Sequence, residues 1–162
     1  MLILSEEETN MKSAVVYISI HHGNTKKIAE TIAEELNADL FDLQREHPDL
    51  GDYNLIGFGS GIYFWKHHEK LLDFVKHLPN MDKKAFIFST SGLIMRRNHR
   101  VLRNLLKERR FDIIGEFYCK GYDTFSFLRC VGGINKGRPN EEDVKRAQNF
   151  ASKLKSFIQS FS

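Results

Sequence analysis

Cysteine is scarce in this chain: Cys119 and Cys130 are the only two among 162 residues. That excludes a disulfide-stapled scaffold and leaves both thiols expected free, as in a reducing compartment. No stretch of about 18 apolar residues occurs, so no segment reads as a membrane span. The opening Leu2-Ile3-Leu4 is too short for a secretory core, and Glu6-Glu7-Glu8 follows at once, so a cytoplasmic location is expected. Prolines number only three, and no repeat or low-complexity tract marks a linker. Strong charge of one sign is missing too. A net charge of +3 and a pI of 8.8 do not indicate nucleic acid by themselves.

What is present is a regular alternation of strand and helix patterns. Residues 1–12 carry an acidic run without periodicity and read as an extension, leaving one domain over 13–162. Apolar runs predict strands at about 13–19, 39–43, 54–59, 85–89 and 111–119. Helical periodicity predicts helices at about 24–36, 67–78, 97–109 and from Asn140 to the end. Asn140 is the expected N-cap of the last, with Glu141, Glu142 and Asp143 in its first turn. Val144, Ala147, Ala151, Leu154, Ile158 and Phe161 form its expected buried stripe. Such alternation predicts an α/β fold, a three-layer sandwich around a five-stranded parallel sheet in the order 2-1-3-4-5. Ligands of such sheets bind beyond the C-terminal strand ends, at the switch point between strands one and three.

The informative turns fall at those ends. After strand one comes Ser19-Ile20-His21-His22-Gly23-Asn24-Thr25, a short polar turn opening a helix. Backbone N–H groups gathered at a helix start form a ready phosphate site. Ser19, Asn24 and Thr25 add short donors, and His21 and His22 can donate ring N–H. After strand three, Ser60-Gly61-Ile62-Tyr63-Phe64-Trp65 supplies aromatics, of which Tyr63 and Trp65 are the expected stackers on a flat ligand. After strand four, Ser89-Thr90-Ser91-Gly92-Leu93 is small enough for backbone to approach a ring edge. The long 120–139 stretch has four glycines, and its Tyr122, Phe125 and Phe127 are candidates to lid the ring or to fill the core.

Several chemistries lack their residues. The Gly-x4-Gly-Lys-[Ser/Thr] loop of nucleotide triphosphatases is absent. A Cys-x5-Arg pair would need Arg at 125 or 136, which are Phe125 and Lys136. A phospho-receiver needs carboxylates ending strands one and three, where Ser19 and Ser60 stand. His67 and His68 diverge by about 100° on a helix, and no Cys or carboxylate sits at ligand spacing, so no metal site is expected. No residue stands out as a catalytic acid, base or nucleophile.

These loops resemble those of the flavodoxin family over roughly 13–160. Family members end the first loop in Gly-Asn-Thr around an FMN phosphate, matched by Gly23-Asn24-Thr25, with Ser19 at the loop's opening serine. Their second loop holds the isoalloxazine ring with an aromatic residue, and their third approaches it with small residues. The segment Gly137-Arg138-Pro139-Asn140-Glu141-Glu142-Asp143-Val144 is similar to that of longer flavodoxin-like proteins. The resemblance implies FMN as cofactor, held by Ser19, His21, His22, Gly23, Asn24, Thr25, Ser60, Gly61, Ile62, Tyr63, Trp65, Ser89, Thr90, Ser91, Gly92 and Leu93. It implies electron transfer, with two alternatives: an FMN-dependent reductase or oxidase of a quinone or porphyrinogen, or a non-redox protein-binding module. The chain departs from the family in its two histidines, its long last loop and its basic charge where carriers are typically acidic. Arg96, Arg100, Arg103, Lys107 and Arg110 fall on one helical face, a solvated stripe or a dock for an acidic redox partner.

Overall fold

The computed structural model describes residues 11–20, 22–122 and 133–161. Six strands and four α-helices occur among them. They are β1 (Ser13–Ile18), α1 (Asn24–Leu36), β2 (Asp39–Asp42), β3 (Leu55–Tyr63), β4 (Lys66–His67), α2 (Glu69–Lys76), β5 (Lys84–Ser91), α3 (Arg100–Glu108), β6 (Asp112–Lys120) and α4 (Glu141–Gln159). The sheet order is β2-β1-β3-β5-β6, every neighbour parallel, with the two-residue β4 folded back antiparallel on β3. Setting β4 aside, this is the expected order, and it reverses direction between β1 and β3.

Strand alternation divides the core in two. Ala14, Val16, Ile18, Ile56, Phe58, Ala85 and Ile87 face α2 and α3. Val15, Tyr17, Leu55, Phe86, Phe88, Phe117 and Cys119 face α1 and α4. The period-2 rule then fixes where polar residues near the strand ends must point. Ser60 and Ser89 fall on the α2/α3 side, and Thr90 on the α1 side.

Four boundaries differ from the sequence reading, each for a local reason. β3 runs on to Tyr63 because the chain reverses there into β4. α2 begins at Glu69, since His68 is its N-cap and accepts a hydrogen bond from Lys70 N. The segment expected as one helix from 97 splits into a 3-10 turn, Arg96–His99, and α3. α4 starts where expected, with Asn140 and Asp143 forming a reciprocal capping box. It ends at Gln159, however, so Phe161 is 72 % exposed rather than buried, and Val144 is half-buried. No helix among the described residues is long and apolar enough to cross a membrane. The expected extension at 1–12 lies outside the described residues up to position 10.

Candidate functional site at the C-terminal end of the sheet

The first loop enters α1 through two left-handed residues, His22 (φ 57°) and Gly23 (φ 65°). Gly23 is the N-cap and offers no side-chain cap, and no acidic residue occupies the first turn. The start of α1 thus leaves the Asn24 and Thr25 N–H groups without a side-chain cap among the described residues, which suits an anion. Ser19 Oγ accepts from Lys26 N at 3.2 Å, folding the loop back on the helix. His22 packs on Tyr122, with ring centroids 4.4 Å apart. His21 lies outside the described residues.

Hydrogen bonds join this loop to its neighbours. Thr25 Oγ1 and Thr90 Oγ1 are 2.8 Å apart and buried, linking α1 to the end of β5. Asn24 Nδ2 donates to the Tyr122 carbonyl at 2.9 Å. Asn135 Nδ2 donates to the Gly92 carbonyl at 2.9 Å, and Lys27 Nζ to the Pro139 carbonyl at 2.9 Å. Gly121 packs closely here, since a Cβ would fall 2.7 Å from Asn24 Nδ2 and displace that side chain from its bond to Tyr122.

The second loop is a hairpin. Tyr63 pairs with Lys66, so Phe64 and Trp65 are the two turn residues, and both have positive φ, 49° and 65°. Two positive-φ residues define the type I′ turn, which favours Asn-Gly. Two bulky aromatics there hold strain, of order 1 kcal/mol each. Phe64 is 78 % exposed and Trp65 is 47 % exposed, with the Arg97 guanidinium 4.0 Å from the indole centroid. The double variant Phe64→Asn/Trp65→Gly is therefore expected to stabilise the fold by about 1 kcal/mol. A raised urea midpoint would show the strain, and a lowered one would mean the aromatics stabilise the tip.

Two expected site serines use their side chains elsewhere. Ser60 Oγ accepts from His68 N at 2.9 Å and donates to the Gly61 carbonyl at 2.6 Å. Ser89 Oγ lies 2.7 Å from His99 Nε2. Both face the α2/α3 layer and are buried, so neither offers its hydroxyl at the rim. Gly61 and Ile62 lie in β3 and Ser91 ends β5, where Ser91 Oγ donates to the Leu93 carbonyl at 2.8 Å. Leu93 itself is exposed. The expected lid residues Phe125 and Phe127, like Cys130, lie outside the described residues.

Beneath the rim lies a polar network that the sequence reading missed. Glu116 accepts from His99 Nδ1 at 3.1 Å and from Arg103 Nη2 at 2.8 Å. The His99 ring stacks on Tyr118, with centroids 3.8 Å apart and planes at 11°. His67 is 1 % exposed and donates Nε2–H to the Phe88 carbonyl at 3.1 Å, and its Nδ1 has no partner among the described residues. Burial, with His99 beside it, pushes His67 down to about 3, and burial pulls His99 down as well. Burial would raise Glu116, but the bonds from His99 and Arg103 outweigh it and hold the carboxyl at about 2. A neutral His99 that gives its Nδ1 proton to Glu116 must accept at Nε2, so Ser89 is the donor. Ser, His and Glu in that order match the connectivity of a hydrolytic triad. Ser89 is 1 % exposed, however, and cannot meet a substrate. The network instead fixes β5, β6, α3 and the hairpin to one another. Its signal in the sequence was a single Glu inside the apolar run 111–119.

Cys119 is fully buried, and burial raises its thiol to about 12, so it is not a nucleophile. The basic stripe is not uniform either. Arg103 is bound to Glu116 and Arg110 to Asp82, leaving Arg96, Arg100 and Lys107, with the neighbouring Arg97, without ion pairs among the described residues.

Known proteins share this fold. A family model described as a flavodoxin domain matches residues 14–125. An uncharacterized protein of Methanocaldococcus jannaschii is 50 % identical over 147 residues, covering 89 % of this chain and 98 % of its own. A flavodoxin from the domain Archaea superposes with a TM-score of 0.61 at 14 % identity, covering 91 % of this chain and 99 % of its own. Flavodoxin 2 from Bacillus cereus gives 0.62 at 21 % identity, covering 86 % and 94 %. The rubredoxin:oxygen oxidoreductase of Desulfovibrio gigas gives 0.72 at 15 % identity, over 92 % of this chain but 36 % of that larger one. With its doubly wound sheet and its uncapped first helix at the switch point, this chain belongs to the flavodoxin family.

Proposed function

We propose that this protein binds FMN non-covalently and carries electrons between proteins. The observation that supports it most is a convergence at the β1/β3 switch point. The uncapped start of α1 suits a phosphate, and the aromatic hairpin beside it suits a flat ring. The flavin, when bound, supplies the redox chemistry. The chain supplies the rest. Backbone N–H groups at Asn24 and Thr25 and the Ser19 hydroxyl meet the phosphate. Trp65 or Tyr63 covers a ring face, and backbone at Gly61, Ser91 and Gly92 borders the ring edge. Carrier function is favoured over a dedicated enzyme because the Ser89, His99 and Glu116 set, which has the connectivity of a triad, is tied up below the rim with Ser89 buried.

Absorbance of the purified protein with FMN, after removal of the excess, tests the cofactor. Flavin bands near one per chain are expected. Riboflavin, which lacks the phosphate, is expected to bind about a hundredfold more weakly, since it forgoes charge-assisted bonds worth roughly 3 kcal/mol. Gly23→Val places a branched residue at φ 65° in the cradle. It is expected to weaken FMN about tenfold while changing riboflavin little. A colourless protein whose melting FMN does not shift would refute the proposal and leave the non-redox binding module standing. Rapid quinone turnover with NAD(P)H and no separate reductase would replace the carrier with the enzyme.

A further inference from the structure

The rim around the site is both apolar and cationic. Ile20, Phe64, Trp65, Leu93, Ile94 and Met95 are exposed, and they come from the turns after β1, β3 and β5. Phe64 and Leu93, at 78 % and 58 % exposed, stand furthest out. Arg96 and Arg97 follow Met95 directly, and Arg100 comes one turn later. All three are exposed and form no ion pair among the described residues. Arg97 lies over Trp65, so the arginine cluster and the hairpin tip are one surface. The hairpin keeps Phe64 outward despite an unfavourable backbone conformation. Apolar centres fringed by arginine and rich in aromatics are the composition of protein interfaces.

We propose that this rim docks an acidic electron-transfer protein, with Phe64, Leu93 and Ile94 at the contact and Arg96, Arg97 and Arg100 facing carboxylates on the partner. The choice of an acidic partner comes from charge complementarity. The remaining basic residues of the expected stripe are bonded internally, at Arg103 and Arg110, or lie further along α3 at Lys107. Positive charge free to meet a partner therefore borders the site itself. The electron-transfer role rests on the FMN reading, because docking here would bring a partner's redox centre next to the ring.

The test uses the full chain loaded with FMN and reduced, then mixed by stopped flow with two acceptors: an acidic plant-type [2Fe–2S] ferredoxin and a basic c-type cytochrome. Attraction makes the ferredoxin rate fall as salt rises, by about tenfold from low to high ionic strength, whereas the cytochrome rate rises or stays level. Arg96→Glu/Arg100→Glu is expected to cut the ferredoxin rate about tenfold at low salt and remove its salt dependence, with flavin bands unchanged. Equal salt responses for both acceptors in fully loaded protein would overturn the docking proposal while leaving the FMN reading intact. So would a double variant as fast as wild type.

Trp65 is the only tryptophan, so its fluorescence reports the same rim without flavin. Salt-sensitive, saturable quenching by the ferredoxin, lost in the double variant, supports the dock even if FMN fails to bind. The absence of quenching in apoprotein and holoprotein alike overturns it, as does equal quenching by a plain DNA duplex.

Discussion

Gly59→Ala is expected to lower folding stability by about 3 kcal/mol, or roughly 6–12 °C in melting temperature. A Cβ built on Gly59 falls 2.2 Å from the Phe88 ring, and one built on Gly57 falls 2.1 Å from the Phe86 ring. Both rings lie across the missing side chains on the sheet face that α1 and α4 cover. A ring has no flexible end to yield, and both phenylalanines are fully buried, so any displacement pushes into packed neighbours. The two glycines thus make room for the largest side chains in the middle of the sheet. The mechanism predicts non-additivity: Gly59→Ala in a Phe88→Leu background should cost well under the single change. Urea midpoints of the two single variants and the double variant give the coupling. A Gly59→Ala midpoint equal to wild type would mean the strand shifts freely, and the packing argument would fail.

Glu116→Ala is expected to cost about 2–3 kcal/mol, less than a fully buried pair because Glu116 and Arg103 each keep about a quarter of their side-chain surface. The loss strands the buried His99 Nδ1–H and the Arg103 guanidinium together. Glu116→Gln, which keeps an acceptor oxygen, should lose less. The same network sets an acid profile. His67, at about 3, and His99 are held below the ordinary value of 6.5, so the unfolded chain binds protons first as pH drops below 6.5. Stability therefore declines from there by up to about 1.4 kcal/mol per pH unit for each histidine. Glu116 acts in the same direction further down. Its carboxyl is held at about 2 instead of 4.5, so the stability it gives is complete above 4.5 and lost as pH falls toward 2. Urea midpoints at pH 7.5, 6.0 and 5.0 should fall steadily. A level midpoint across that range would contradict neutral, buried histidines.

The sheet was readable from sequence because its signals are local. Apolar runs such as Ala14-Val15-Val16-Tyr17-Ile18, and those at 54–59 and 85–89, need no distant information to be recognised as buried strands, and Asn140 with Asp143 declares a helix start. The rim loops were readable in position but not in detail. Whether Ser60 and Ser89 offer hydroxyls to a ligand depends on strand parity extended past the expected ends, and β3 and β5 each run longer than their apolar cores suggest. The hairpin at Phe64 and Trp65 was hidden because its turn lacks the Asn-Gly signal of its type. The His67, His99 and Glu116 network joins residues 49 positions apart, and nothing local to His67 points to Glu116. The basic stripe assumed one helix from 96 to 110, but Arg96 lies in the 3-10 turn and Arg110 beyond α3, and spacing is blind to partners, so Arg103 and Arg110 looked free when each was already bonded.

The hydrogen bonds that cross the rim bear on how tightly a ligand can be held. Thr25 to Thr90, Asn24 to Tyr122, Asn135 to Gly92 and Lys27 to Pro139 lash together segments more than forty positions apart in sequence. Each bond removes loop freedom during folding instead of at the moment of ligand capture. A guest then arrives at a surface whose shape is already set, and little conformational entropy remains to be surrendered. On the proposed FMN reading, such preorganisation would let a cradle built from backbone N–H and hydroxyl donors bind as firmly as a looser one lined with lysines.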